Sequence, residues 1–131
     1  MRIASITARY LLGLLFTVLG LNGFLHFIHQ PPPANLLALE FLRAVIVSHF
    51  SAFFFAIQVL GGLLLLSGYF VPLALVLLAG ELYNILAFHL MLESGAGIGP
   101  GLVACLLWVL VFLQDRKSFH GIFTAKPATQ V

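Results

Sequence analysis

Residues 72–92 (PLALVLLAGELYNILAFHLML) constrain this chain more than any other stretch. Twenty-one residues at about 1.5 Å of rise each match the roughly 30 Å hydrocarbon core of a bilayer. Glu81 sits near the middle of this run, Asn84 one turn further on and His89 towards its far end. A carboxylate at mid-membrane costs about 2.5–3.5 kcal/mol even on the lenient insertion scale. Such a residue faces other helices or a wet cavity, so the rest of the chain has to supply what faces it.

Composition agrees. The chain is 62% hydrophobic and 8% charged, with a mean hydropathy of +1.14. A soluble domain of 131 residues could not bury that much apolar surface, so lipid is the expected solvent. The length suits one small membrane domain, residues 1–131. Six Lys and Arg stand against four Asp and Glu, an excess too small and too confined to helix ends to suggest a nucleic-acid partner. Cys105 is the single cysteine, which excludes an intrachain disulfide and a CxxC redox pair and leaves it as a small apolar packing residue.

An all-α bundle of four transmembrane helices follows from the apolar runs. The first covers about residues 6–28 and reads as a span rather than a signal peptide, because it is long and no small-x-small cleavage site follows cleanly. Pro31, Pro32 and Pro33 end it. Residues 34–47 (ANLLALEFLRAVIV) are apolar but too short to cross, and they predict an interfacial or re-entrant helix. The second span is about 50–67, where Gly61 and Gly62 permit close helix approach. A Gly- and Pro-punctuated turn leads to the third span, 72–92. The loop ESGAGIGPG at 93–101 lacks the Lys-Ser or Lys-Thr of a phosphate loop and reads as a connection to the fourth span, about 98–114. Arg2, Arg9, Arg116, Lys117 and Lys126 would share one side of the membrane, with Arg43 alone on the other. The positive-inside rule then places both termini in the cytoplasm.

With that orientation, polar residues concentrate in the outer half. Asn22, His26 and His29 follow an i, i+4, i+7 spacing that would place them on one helical face. His49 would open the second span, with Gln58 near its centre; Asn84 and His89 lie outward of Glu81. Three readings are open. The histidines are interface residues and the amides interhelical glue, each worth about 0.6 kcal/mol. Alternatively, Asn22, His26, His49, Gln58, Glu81, Asn84 and His89 line a pocket for a quinone, with the carboxyl of Glu81 accepting or relaying a proton. In the third reading, two of His26, His29, His49 and His89 ligate a metal or haem, His26 and His29 forming an HxxH pair. At 100° per residue, Glu81 and Asn84 are about 60° apart, and Asn84 and His89 about 140°, so all three meet one ligand only if the helix is surrounded.

Two strings carry a family resemblance. ARYLLGLLFTVLGLNGFLHFIHQPPP resembles the opening of DoxX-family membrane proteins, and GGLLLLSGYFVPLALVLLAGELYNILAFHLML resembles their central signature. The resemblance spans about residues 8–123. It implies a four-helix inner-membrane protein, with some relatives tied to quinone-linked sulfur oxidation or to membrane oxidoreductase systems. The chain departs from the pattern at two positions. Gln58 stands where many members carry an acid, and Glu81 where an aliphatic residue is usual, so the acid is expected on the facing helix with Gln58 as its partner. Three functions are in play: a quinone-associated subunit of a membrane redox system, a structural accessory subunit of a redox or pigment complex, and a small transporter or proton path centred on Glu81. No redox cofactor motif is visible, so the chain is at most the membrane subunit of an oxidoreductase; quinone is the one cofactor considered, and the expected partners are the bilayer and other proteins of a membrane complex.

Overall fold

A computed structural model describes residues 1–127. Among the described residues there are five α-helices and no strand: α1 (Arg2–Leu25), α2 (Leu36–Val47), α3 (Ser51–Ser67), α4 (Val71–Ala87) and α5 (Gly99–Asp115). A π-helical turn, Phe88–Leu92, extends α4, and a 3-10 turn, Arg116–Phe119, follows α5. By length and composition, Arg2–Leu25 and Val71–Leu92 can each cross a membrane, and α2 with α3 form a pair bent by 81°.

α1, α3, α4 and α5 pack in a ring, α1 against α3 and α5, and α4 against the same two. Neighbours run antiparallel, because contacts march in opposite directions: Gly13 meets Leu66 and Gly20 meets Val59, while Gly61 meets Leu78 and Trp108 meets Leu75. Leu12, Phe16, Leu65, Leu75, Leu78 and Val111 are fully buried at the centre. Only about a third of each long apolar window is buried, and leucines, valines and phenylalanines fill much of the outer surface. α2 packs on α3 and on the π-helical turn.

The ends are set by local chemistry. α1 stops at Leu25, short of the expected residue 28. His26 adopts a left-handed conformation with its N–H on the Asn22 carbonyl, and the Asn22 side-chain oxygen then takes the Ile28 N–H at 2.6 Å. An amide that captures the backbone donor two residues past the last turn ends the helix before the proline run is reached. Asn35 caps α2, its Oδ1 accepting from Leu37 N–H at 2.8 Å and Ala38 N–H at 3.4 Å. Gly68, at φ +76°, closes α3, and Pro72 sits in the first turn of α4, where its missing N–H is harmless.

The α1–α3 seam is the tightest in the bundle. A Cβ placed on Gly62 would lie 2.6 Å from the Thr17 backbone nitrogen and 2.8 Å from the Gly13 carbonyl oxygen. Backbone cannot swing aside as a side chain can, so only hydrogen fits there. Gly80 on α4 is the contrast, with open space where a Cβ would go. Gly62→Ala is expected to destabilise the bundle by about 1–3 kcal/mol through overpacking, whereas Gly80→Ala is expected to be neutral or to stabilise by up to about 1 kcal/mol. Thermal unfolding of both variants in mild detergent checks the pair.

Candidate functional site

A buried side-chain pair that includes an ionisable group joins α3 to α4. Gln58 is 8% exposed and Glu81 4%, and Gln58 Nε2 donates to Glu81 Oε2 at 3.1 Å. Gln58 is thus the partner expected for Glu81 on the facing helix. The geometry comes from the antiparallel register, which sets Gly61 of α3 against Leu78 of α4 and brings Gln58 and Glu81 level one turn away. Thr17 of α1 adds a third polar group, against Gly62 of α3, one turn from Gln58. Its Oγ1 is buried against Gly62 and has no hydrogen-bond partner among the described residues. Sequence reasoning missed Thr17, although a hydroxyl between Gly13 and Gly20 on one helix was the available signal.

The other sequence candidates are dispersed. Asn84 is exposed, and its side-chain Nδ2 donates to the Gly80 carbonyl of its own helix at 2.9 Å. Asn22 is occupied with the end of α1. His26 and His29 fall beyond that end, so the expected single face for Asn22, His26 and His29 does not exist: the helix on which the spacing was counted has already stopped. His49 lies in the turn between α2 and α3 at φ 60°, outside the helix it was expected to open.

His89 is held by the loop that follows it. Its Nδ1 lies 2.6 Å from Glu93 Oε2 and 2.8 Å from the Ala96 carbonyl. Both neighbours are acceptors, so Nδ1 carries the proton and donates. Gly97, at φ +69°, lies against the same ring, and the Gly95 N–H returns to the His89 carbonyl. The glycine-rich loop therefore folds around His89, and the α-helix gives way to a π-helical turn at the same place. No group of three or more His, Cys, Asp or Glu among the described residues could hold a metal ion.

At the other end of the bundle, Arg9 reaches from α1 to the last turn of α3. Its Nη1 donates to the Leu65 carbonyl at 2.5 Å, and its guanidinium lies over the Tyr10 ring at 4.6 Å. The last carbonyls of a helix lack intrahelical donors, and a cation there also suits the helix dipole. Trp108 ties α5 to α4 within the bundle, its indole N–H donating to the Leu75 carbonyl at 2.8 Å.

No family model matches the chain, and no curated protein or solved structure matches it either. The candidate site thus stands on its geometry: a carboxyl and a carboxamide, buried together, at the centre of a tightly packed bundle.

Removing one partner of a buried hydrogen bond leaves the other unsatisfied, whereas replacing both with apolar groups of similar size is close to neutral. Gln58→Leu is expected to destabilise by about 1–2 kcal/mol, and Gln58→Leu with Glu81→Leu to recover most of that loss. A double-mutant cycle read by denaturant titration in detergent checks the coupling.

Proposed function

We propose that this chain is a four-span membrane protein of the DoxX type that acts as the membrane subunit of a larger redox assembly. The observation that carries the reading is where its polar groups go. Gln58 pairs with Glu81, Asn84 with its own helix, Asn22 with the end of α1 and His89 with its loop. The outward faces of the four packed helices are rich in exposed Leu, Val, Ile and Phe, which suit lipid and the apolar surface of a partner. Electrons would be carried by that partner.

The packing supports four spans. α3 and α5 have 17 residues each, about 25 Å of helix, and each runs beside one or both of the longer helices. Tilt or local thinning of the bilayer accommodates the shortfall. α2, joined to α3 through the 81° bend, lies along the outer interface. The start of α1 and the end of α5 come together, with Ser5 Oγ donating to Gln114 Oε1 at 3.3 Å, which supports placing both on one side. Five of the six Lys and Arg mark that side as cytoplasmic, in a plasma or inner membrane.

Quinone association is a second reading, favoured by the side chains of His26, His29 and His49, which make no hydrogen bond among the described residues. They sit on the outer end, where a quinone head in the interfacial layer would meet them. On this reading these rings hold the quinone carbonyls, and Asn84 and His89 do not.

Purification from native membrane in gentle detergent, scored for particle mass and extractable quinone, tests the proposal. A particle well above the mass of one chain, with partner proteins in fixed ratio, is the expected outcome; a lone chain free of partners overturns the subunit reading. If quinone is retained, His26→Ala with His49→Ala is expected to remove it and Asn84→Ala to leave it.

A further inference from the structure

The inner end of the bundle holds a cleft of about 250 Å³ that no part of the proposed redox role uses. Its lining includes Arg2, Ser5 and Arg9 of α1, Gly68 at the end of α3, and Gln114 and Asp115 at the end of α5. With Val71 of α4 also in the lining, the ends of four helices meet there, and two arginines seven residues apart present their charge from one face of α1.

The donors are already in place. Arg9 is half-buried and fixed by its Leu65 contact through one nitrogen, which leaves further guanidinium N–H groups to donate. Gly68 makes room for it: a Cβ there would sit 2.9 Å from Arg9 Nη1. Arg2 has no carboxylate within ion-pair distance among the described residues, although Asp115 lines the same cleft. Arg116 and Lys117 follow immediately in the 3-10 turn and are exposed. Positive charge therefore exceeds negative at an opening whose apolar walls are Ile6, Val71 and Val111, and the Ile6 face of α1 continues through exposed Ile3 and Tyr10.

The volume is below the roughly 300–1,000 Å³ of pockets for larger organic ligands. It suits a single tetrahedral anion. Guanidinium groups bind phosphate through paired N–H donors, and basic recesses between membrane helices on the cytoplasmic side are where anionic headgroups dock.

We propose that this cleft binds a phosphate-bearing anion, with Arg2 and Arg9 as the charged donors and Ser5 and Gln114 as its polar walls. The phosphodiester of an anionic phospholipid, its acyl chain lying along Ile3, Ile6 and Tyr10, and free phosphate share this chemistry. The lipid form rests on the membrane reading above. That reading is scored separately, by resistance of the chain to alkaline extraction from membranes.

The test uses the full chain in two settings. In nanodiscs of phosphatidylcholine mixed equally with phosphatidylglycerol, native mass spectrometry reads which lipid stays bound. In detergent, inorganic phosphate is titrated and thermal stability followed. Preferential retention of phosphatidylglycerol, reduced about tenfold in Arg2→Gln and in Gln114→Glu, is the expected result and identifies a headgroup. Saturable stabilisation by phosphate without lipid preference, also lost in both variants, supports the site with free phosphate as its source. Arg2→Gln removes an exposed side chain with no structural hydrogen bond, so its fold is expected to be intact. Equal retention of the two lipids together with no phosphate effect overturns the proposal, as does binding that both variants leave unchanged.

Discussion

Gly62 lets α1 and α3 meet backbone to backbone, and the placement of most other groups depends on that contact. With a side chain at this position the two helices would stand further apart, because Thr17 N and Gly13 O already occupy the space. In lipid, helices gain little from hiding apolar surface from one another, so close packing of this kind carries much of the association energy. The seam also aligns the depths of groups on different helices. Arg9 reaches the last turn of α3 because the antiparallel register brings it there.

The buried pair of Gln58 and Glu81 is the second consequence. A carboxyl alone on α4 would be an expensive guest in an apolar bundle, and the amide on the facing helix provides it a donor. What remains polar lies at the two ends. The end beside the turn between α2 and α3 carries histidines in turns, while the end where α1 starts and α5 finishes carries arginines, a carboxylate and an amide around a small cleft. A bundle built this way has apolar flanks and keeps its charged or titratable groups at its two ends.

Much of this architecture was legible in the residues. The apolar runs mark out the helices, and the starts of α2, α4 and α5 lie within two residues of the expected ones, because Asn35, Gly68 and Pro100 punctuate the chain by local rules. The facing of Gln58 and Glu81 was legible too, since both lie near the centre of neighbouring antiparallel runs. The histidine face was not. It assumed that α1 continues to residue 28, and a side chain, Asn22, ends the helix first by bonding the backbone of Ile28. His89 was read as a group facing a pocket, but the loop after it folds back and takes its proton donor. Such captures depend on where a loop returns in space, which spacing along a helix does not encode.

The sequence by itself determined that the chain is helical, that it holds apolar helices long enough to cross a membrane, and that one buried acid needs a partner. Those conclusions follow from hydropathy, length and the cost of charge in hydrocarbon, all of which are properties of residues taken one after another. Only the tertiary structure decided which groups are already engaged and which are left over. It occupied His89 and Asn84, scattered His26, His29 and His49, left Thr17 without a partner among the described residues, and gathered Arg2, Arg9 and Gln114 around one cleft. The reason is that hydrogen-bond partners and clefts are made between helices, by a register and a closeness of approach that glycine at 62 permits and that no single helix contains.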